Sequence, residues 1–214
     1  MHIAVLMFAL MTAAAPALAE DEPAAKPIKL VVLGDSLSAG LGLPGQEAFP
    51  AKLRKALQDK GITIDMTNAG VSGDTSSGGR DRLDWSVPDG TEGVIVELGA
   101  NDALRGIDPD LTRAALSDIV ARLKARKIAV MLCGMLAPPN YGADYAARFN
   151  SIYPELAKKF DVPLYPFFLD GVAADAKLNQ ADGIHPTAAG VDIIVKNIMP
   201  TVEAFLGTLS EQRR

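Results

Sequence analysis

Short, nearly unbroken apolar runs alternate along the chain with longer stretches whose apolar residues recur every three or four positions. The runs at 28–33 (IKLVVL), 62–67 (ITIDMT), 93–98 (GVIVEL), 128–133 (IAVMLC) and 163–167 (PLYPF) predict five β-strands. Most of them lack an apolar/polar alternation, which marks strands covered on both faces and hence a parallel sheet between two helical layers. The intervening stretches predict helices. Phe49, Leu53 and Leu57 share one face, closed by Gly61, and Leu111, Ala115, Ile119 and Leu123 share another, opened by Asp108 as cap with Pro109 in the first turn. Tyr145, Phe149, Ile152 and Leu156 predict a third helix kinked at Pro154; Val191, Ile194, Val195, Ile198 and Val202 predict a last one that begins at Pro186 and bends at Pro200. This pattern predicts one three-layer α/β/α domain over 28–214, with five parallel strands in the flavodoxin-like order. Ligands of such sheets bind beyond the carboxyl ends of the strands, so the residues after each strand are the ones to inspect.

Composition adjusts the ends and excludes some partners. The first 19 residues are almost wholly apolar and finish in Ala17-Leu18-Ala19, which predicts an export signal cleaved after Ala19; the positive charge usual at the front of such signals is nearly missing. Residues 20–27 read as a polar lead-in, and the product is expected in the periplasm or outside the cell, with no membrane span left after cleavage. Net charge is −5 without basic clusters, which argues against nucleic acid and anionic membrane surfaces. The lone cysteine, Cys133, cannot form an internal disulfide, so the core alone must stabilise the fold. A monomer is the expected state.

Four strand ends carry polar groups with chemical use. "GDSLSAG", 34–40, places the Ser36 hydroxyl just past the first strand; "NAGVSGDTS", 68–76, places Gly73, whose N–H no Cβ obstructs; "ELGAND", 97–102, places the Asn101 carboxamide. Each stretch is also an ordinary turn. The glycines match no phosphate-binding loop. "DGIHPTAAG", 182–190, carries His185, the one histidine outside the leader. A serine hydroxyl attacks only if a base takes its proton, and that base needs a carboxylate to fix its tautomer. Asp182 stands three residues away with Gly183 between them, and Pro186 is expected to hold His185 at a helix start. The same histidine could simply be satisfied by backbone at that helix start. One imidazole without a cysteine pair is a poor metal set, so no metal or other cofactor is expected.

Together these blocks resemble the signature of the GDSL family, the SGNH hydrolases. "ELGANDALRG", "APPNYG", "IYPELAKKFDVPLYPFF" and "DGIHP" are similar to its exported bacterial acyl-CoA thioesterase, lysophospholipase and arylesterase group, over about Leu30 to Ile198. The resemblance implies Ser36 as nucleophile, His185 as base and then acid, and Asp182 as the group orienting His185. It implies an oxyanion hole from the Gly73 N–H, the Asn101 amide and the Ser36 N–H, and a small-molecule acyl ester or thioester as substrate. Ala100 departs from the glycine frequent in that group, which predicts tighter packing beside Asn101. Leu104, Ile107, Leu136 and Tyr141 are expected to hold the acyl chain, or else only to pack their loops. Asp35, Asp74 and Asp102 read as turn carboxylates, and Glu97 as a buried acid without an obvious partner. A carbohydrate or cell-wall O-acetyl esterase, a non-catalytic binding module and a Cys133 nucleophile are the competing readings.

Overall fold

The computed structural model describes residues 26–213. The expected leader and residues 20–25 of the lead-in lie outside the described residues. Five parallel strands, β1 (Ile28–Gly34), β2 (Ile64–Gly70), β3 (Gly93–Glu97), β4 (Ala129–Cys133) and β5 (Leu164–Tyr165), are ordered β2-β1-β3-β4-β5. Among the described residues nine α-helices accompany them: α1 (Ser36–Ala39), α2 (Phe49–Asp59), α3 (Ser76–Asp81), α4 (Leu83–Ser86), α5 (Ala100–Leu104), α6 (Pro109–Ala125), α7 (Gly142–Asn150) and α8 (Ile152–Phe160) lie between strands, and α9 (Ala188–Gln212) follows the last one. Helix α2 packs beside α9, whereas α6 packs between α3 and α8. These are the two helical layers of the expected α/β/α fold. The central strands β3 and β4 are almost wholly buried, as continuous apolar runs require, while the edge strand β2 exposes Asp65, Asn68 and their neighbours.

Where boundaries differ from the periodicity, a backbone group has a different employer. Strand β2 starts at Ile64, not Ile62, because the Ile62 N–H donates to Leu57 O and closes α2 beyond the left-handed Gly61. Ile128 likewise donates to Leu123 O past Lys127, which holds φ at 59°, so β4 starts one residue later than expected. Strand β5 shrinks to two residues because Pro163 and Pro166 flank it without N–H groups. The third helix is broken, not kinked: α7 and α8 meet at Ser151, since Pro154 leaves the Asn150 carbonyl without its helical donor. On α6 the Asp108 cap is as expected, its side chain accepting from Asp110 N, but Leu111 is 62% exposed and Thr112, Leu116 and Val120 complete the buried face.

The last helix begins at Ala188 with Thr187 as its cap, and it runs unbroken through Pro200. His185 is therefore in a loop and not at the helix start. Pro186 pairs instead with Asn179 in an isolated bridge, and Gln180 N donates to His185 O at 2.7 Å. The loop is tied down by these bonds and by Thr187 N to Leu178 O at 2.8 Å.

Candidate active site

The sheet order reverses beside β1: its chain leaves towards β2 on one side, and β3 continues on the other. At that switch point the loops after β1 and β3 separate, which opens a crevice at the carboxyl end of the sheet. Ser36 leaves β1 into this crevice as the first residue of α1. Asp35 caps that helix, its Oδ1 accepting from Leu37 N at 3.0 Å, and the left-handed Gly40 closes it one turn later. Close packing behind the turn explains Gly34, where a Cβ would stand 2.2 Å from Ser38 Oγ.

From the opposite side the 178–187 loop brings in the imidazole. Nε2 of His185 stands 2.9 Å from Ser36 Oγ, and Nδ1 stands 2.7 Å from Asp182 Oδ2. The other Asp182 oxygen accepts the N–H groups of Ile184 and His185 at 2.9 and 3.0 Å. These backbone donors, with the imidazole, hold the Asp182 carboxyl down at about 2, so it is an anion at neutral pH. An anion can only accept. Nδ1 of His185 therefore carries the proton, and in the neutral ring Nε2 is free to take one from Ser36.

Asn101, in the first turn of α5, aims its Nδ2 group back towards the nucleophile loop. It donates to Asp35 Oδ2 at 3.1 Å and to the Asp74 carbonyl at 3.0 Å. Gly73 precedes Asp74, adopts φ +82°, and has its carbonyl held by Arg105 Nη2 at 2.8 Å. Ala100 opens α5 and contributes to the cavity wall; Gly99 before it, at φ +116°, is irreplaceable because a Cβ would meet Tyr153 Oη at 2.1 Å.

Ser36, Asn101 and His185 face a common cavity of about 510 Å³, within the range of small-ligand sites. Of the four residues expected to hold an acyl chain, Leu104 and Leu136 line it. Tyr141 and Ile107 do not: Tyr141 donates its hydroxyl to Leu104 O at 2.8 Å, and the Ile107 carbonyl accepts from Tyr145 Oη at 2.9 Å. These bonds brace the end of α5, where Leu104 sits, and the loop that follows it. Sequence reasoning missed Phe167, Leu169, Ala173 and Ile184, which complete the apolar wall. Their signal was position alone, since Phe167 and Leu169 follow the fifth strand and Ile184 sits inside "DGIH".

The other acids are more than turn residues. Asp35 is fully buried and pushed up to about 6 by that burial, against the pull of its bonds from Leu37 and Asn101. Asp102 cross-links two segments, accepting from Ser76 N at 2.8 Å, Ser76 Oγ at 2.5 Å and Thr112 Oγ1 at 3.0 Å. Asp74 is not a turn carboxylate; it pairs with Arg82 Nε at 2.6 Å. Glu97 meets Ser38 Oγ at 2.7 Å, has no partner for Oε1 among the described residues, and is held well above the usual carboxylate range by burial. Cys133 is buried in β4 with its thiol pushed up by that burial, which removes it as a nucleophile. Among the described residues no three His, Cys, Asp or Glu side chains are grouped to hold a metal.

A parallel α/β/α sheet with an imidazole bridging a rim serine and a carboxylate is the framework of a serine hydrolase. Comparison with known proteins makes the assignment specific: residues 32–193 match the model of the GDSL-like lipase/acylhydrolase family, and the chain belongs to that family. It is 39% identical over 178 residues to Esterase TesA of Pseudomonas aeruginosa, spanning 83% of this chain and 89% of that one. It is 41% identical over 178 residues to Thioesterase 1/protease 1/lysophospholipase L1 of Escherichia coli strain K12, spanning 81% of this chain and 84% of that one. Among solved structures, AlinE4, an SGNH-hydrolase family esterase, superimposes with TM-score 0.72 at 46% identity, over 85% of this chain and 98% of that one. The protein is a serine ester hydrolase.

Proposed function

We propose that the chain cleaves small acyl esters and thioesters through an acyl-enzyme on Ser36. His185 Nε2 takes the Ser36 proton as Oγ attacks the acyl carbonyl, and Asp182 steadies the imidazolium that forms. The tetrahedral oxyanion is received by the N–H groups of Ser36 and Gly73 and by the Asn101 amide, which exchanges one of its two present acceptors, Asp35 Oδ2 or the Asp74 carbonyl, for it. The imidazolium then gives its proton to the leaving alcohol or thiol, and the reverse sequence with water frees the acid. The observation that carries this reading is the unbroken line from Asp182 through His185 to Ser36, with contacts of 2.7 and 2.9 Å. The apolar wall that includes Leu104, Leu136, Phe167 and Ile184 favours an acyl chain over a sugar ring as the occupant of the cavity.

Two measurements test it. A phosphonate ester should add once to the protein, at Ser36, by intact-mass and peptide mapping. Ser36→Ala should retain the far-UV spectrum of the parent while losing turnover of p-nitrophenyl butyrate by about 10⁵-fold or more. Absence of the adduct would favour a binding module. Faster turnover of acetylated sugars than of acyl-chain esters and thioesters would favour the carbohydrate-esterase reading. We also infer export, with cleavage after Ala19, so the mature chain should begin at Glu20 by N-terminal sequencing. Among the described residues no helix is long and apolar enough to cross a membrane.

A further inference from the structure

Beneath the loop that carries Gly73 lies a guanidinium that the hydrolytic steps do not use. Arg82 joins α3 to α4 with only 10% of its side chain exposed. Its Nε donates to Asp74 Oδ2 at 2.6 Å and its Nη2 to the Gly34 carbonyl at 2.8 Å. Its Nη1 donates to the Ala69 carbonyl at 2.8 Å and to Ser86 Oγ at 2.9 Å. Gly34 ends β1 two residues before Ser36. Ala69 lies at the end of β2, where the chain enters the Gly73 loop. Asp74 follows Gly73, and its carbonyl is the one that accepts from Asn101 Nδ2. One planar fork thus touches the segments that place all three donors assigned to the oxyanion. Asp74 is confined from its other side too: a Cβ on Gly78 would stand 2.0 Å from its Oδ1, so only glycine lets the carboxylate lie there.

We propose that Arg82 is a positioning residue that fixes the separation of the Ser36, Gly73 and Asn101 donors, by clamping the ends of β1 and β2 and the Asp74 turn to one rigid group. The inference rests on the reading of Ser36 and its three donors given above. Its physical basis is that an oxyanion donor acts only when held in advance at the position where charge develops, which demands a stiff support behind it. Arginine suits this because its guanidinium offers five donors in a fixed plane. A lysine at the same place would retain the charge opposite Asp74 but could not hold two carbonyls and a carboxylate in one geometry.

The test is Arg82→Lys in the full chain, assayed with p-nitrophenyl butyrate. Because only placement of the donors is disturbed, kcat should fall about ten- to a hundredfold while KM stays within about twofold. In an Asn101→Ala background, where one of the placed donors is already gone, the same substitution should cost at least about threefold less. An unchanged kcat, a rise in KM alone, or an equal loss in both backgrounds overturns the role. If Arg82→Lys does not fold, Asp74→Ala removes the acceptor of Nε and so releases only one arm of the clamp. It should lower kcat about fivefold or more at constant KM, and an unchanged kcat overturns the proposal in that variant as well. Phosphonate labelling of the parent keeps the two readings apart. No Ser36 adduct means that the site assignment itself fails, whereas an adduct combined with an unimpaired Arg82→Lys removes only the clamp.

Discussion

Asp182 serves His185 with both oxygens, one on the ring and one on the backbone N–H groups of Ile184 and His185. This was legible in the sequence because the three-residue spacing lets one tight turn do the whole task, with Gly183 at φ +70° supplying the turn. In Asp182→Asn the amide can face Nδ1 with its oxygen only by turning its NH₂ towards two backbone donors, so the imidazole loses either its tautomer or its anchor. Turnover of p-nitrophenyl butyrate should fall about a thousandfold or more. His185→Ala should be as inactive as Ser36→Ala to within about tenfold, since the two act as a unit. Stopped assays at high enzyme concentration would resolve both residual rates, and a His185→Ala variant with substantial activity would refute the assignment.

Elements decide which acids are buried, and here the sequence was less informative. Glu97 stands out as polar inside an apolar strand, but its partner Ser38 is 59 residues away and becomes a neighbour only when β1 pairs with β3. Burial holds its carboxyl well above the usual range, so the folded chain keeps a proton that the unfolded chain releases above about pH 4. Between those two values the folded state binds more protons, and stability declines as pH rises. Glu97→Gln removes that decline while preserving an acceptor for Ser38. The difference in Tm between variant and parent should therefore widen in the variant's favour from pH 5 to pH 9, as read by thermal unfolding at each pH. A constant difference would mean that the parent folds with Glu97 ionised. Element ends were misread for a related reason: Ile62 and Ile128 look like strand residues, but their N–H groups close the preceding helices.

At the scale of the molecule, the site exists because strands distant in sequence are adjacent in the sheet. Ser36 follows β1 and Asn101 follows β3, and their loops diverge where the strand order reverses. The third wall comes from the chain after β5, where Phe168 is fully buried and packs edge-on against Phe49 of α2 at 4.9 Å between ring centres. Its neighbours Phe167 and Leu169 face the cavity, so this one contact anchors a stretch of the binding wall to the helical layer. Phe168→Ala should cost about 3–5 kcal/mol of stability in urea unfolding. It should also lower activity on longer acyl esters more than on acetates, because the displaced segment lines the apolar end of the cavity.

The sequence by itself determined the strands, their parallel character and the helical layers, which depend on local periodicity and turn chemistry. It singled out Ser36, Gly73, Asn101, Asp182 and His185 by their residue types at strand ends, and their roles were implied by the resemblance of those blocks to a family signature. Tertiary structure alone decided that Leu104 and Leu136 face the cavity while Tyr141 and Ile107 brace a loop, that His185 sits in a pinned loop ahead of α9, and that Arg82 lies under the Gly73 turn. Each of these depends on which segments meet across the sheet edge. Contacts between residues tens of positions apart leave no periodic trace, because the direction of a loop side chain is set by its partner and not by its neighbours in the chain.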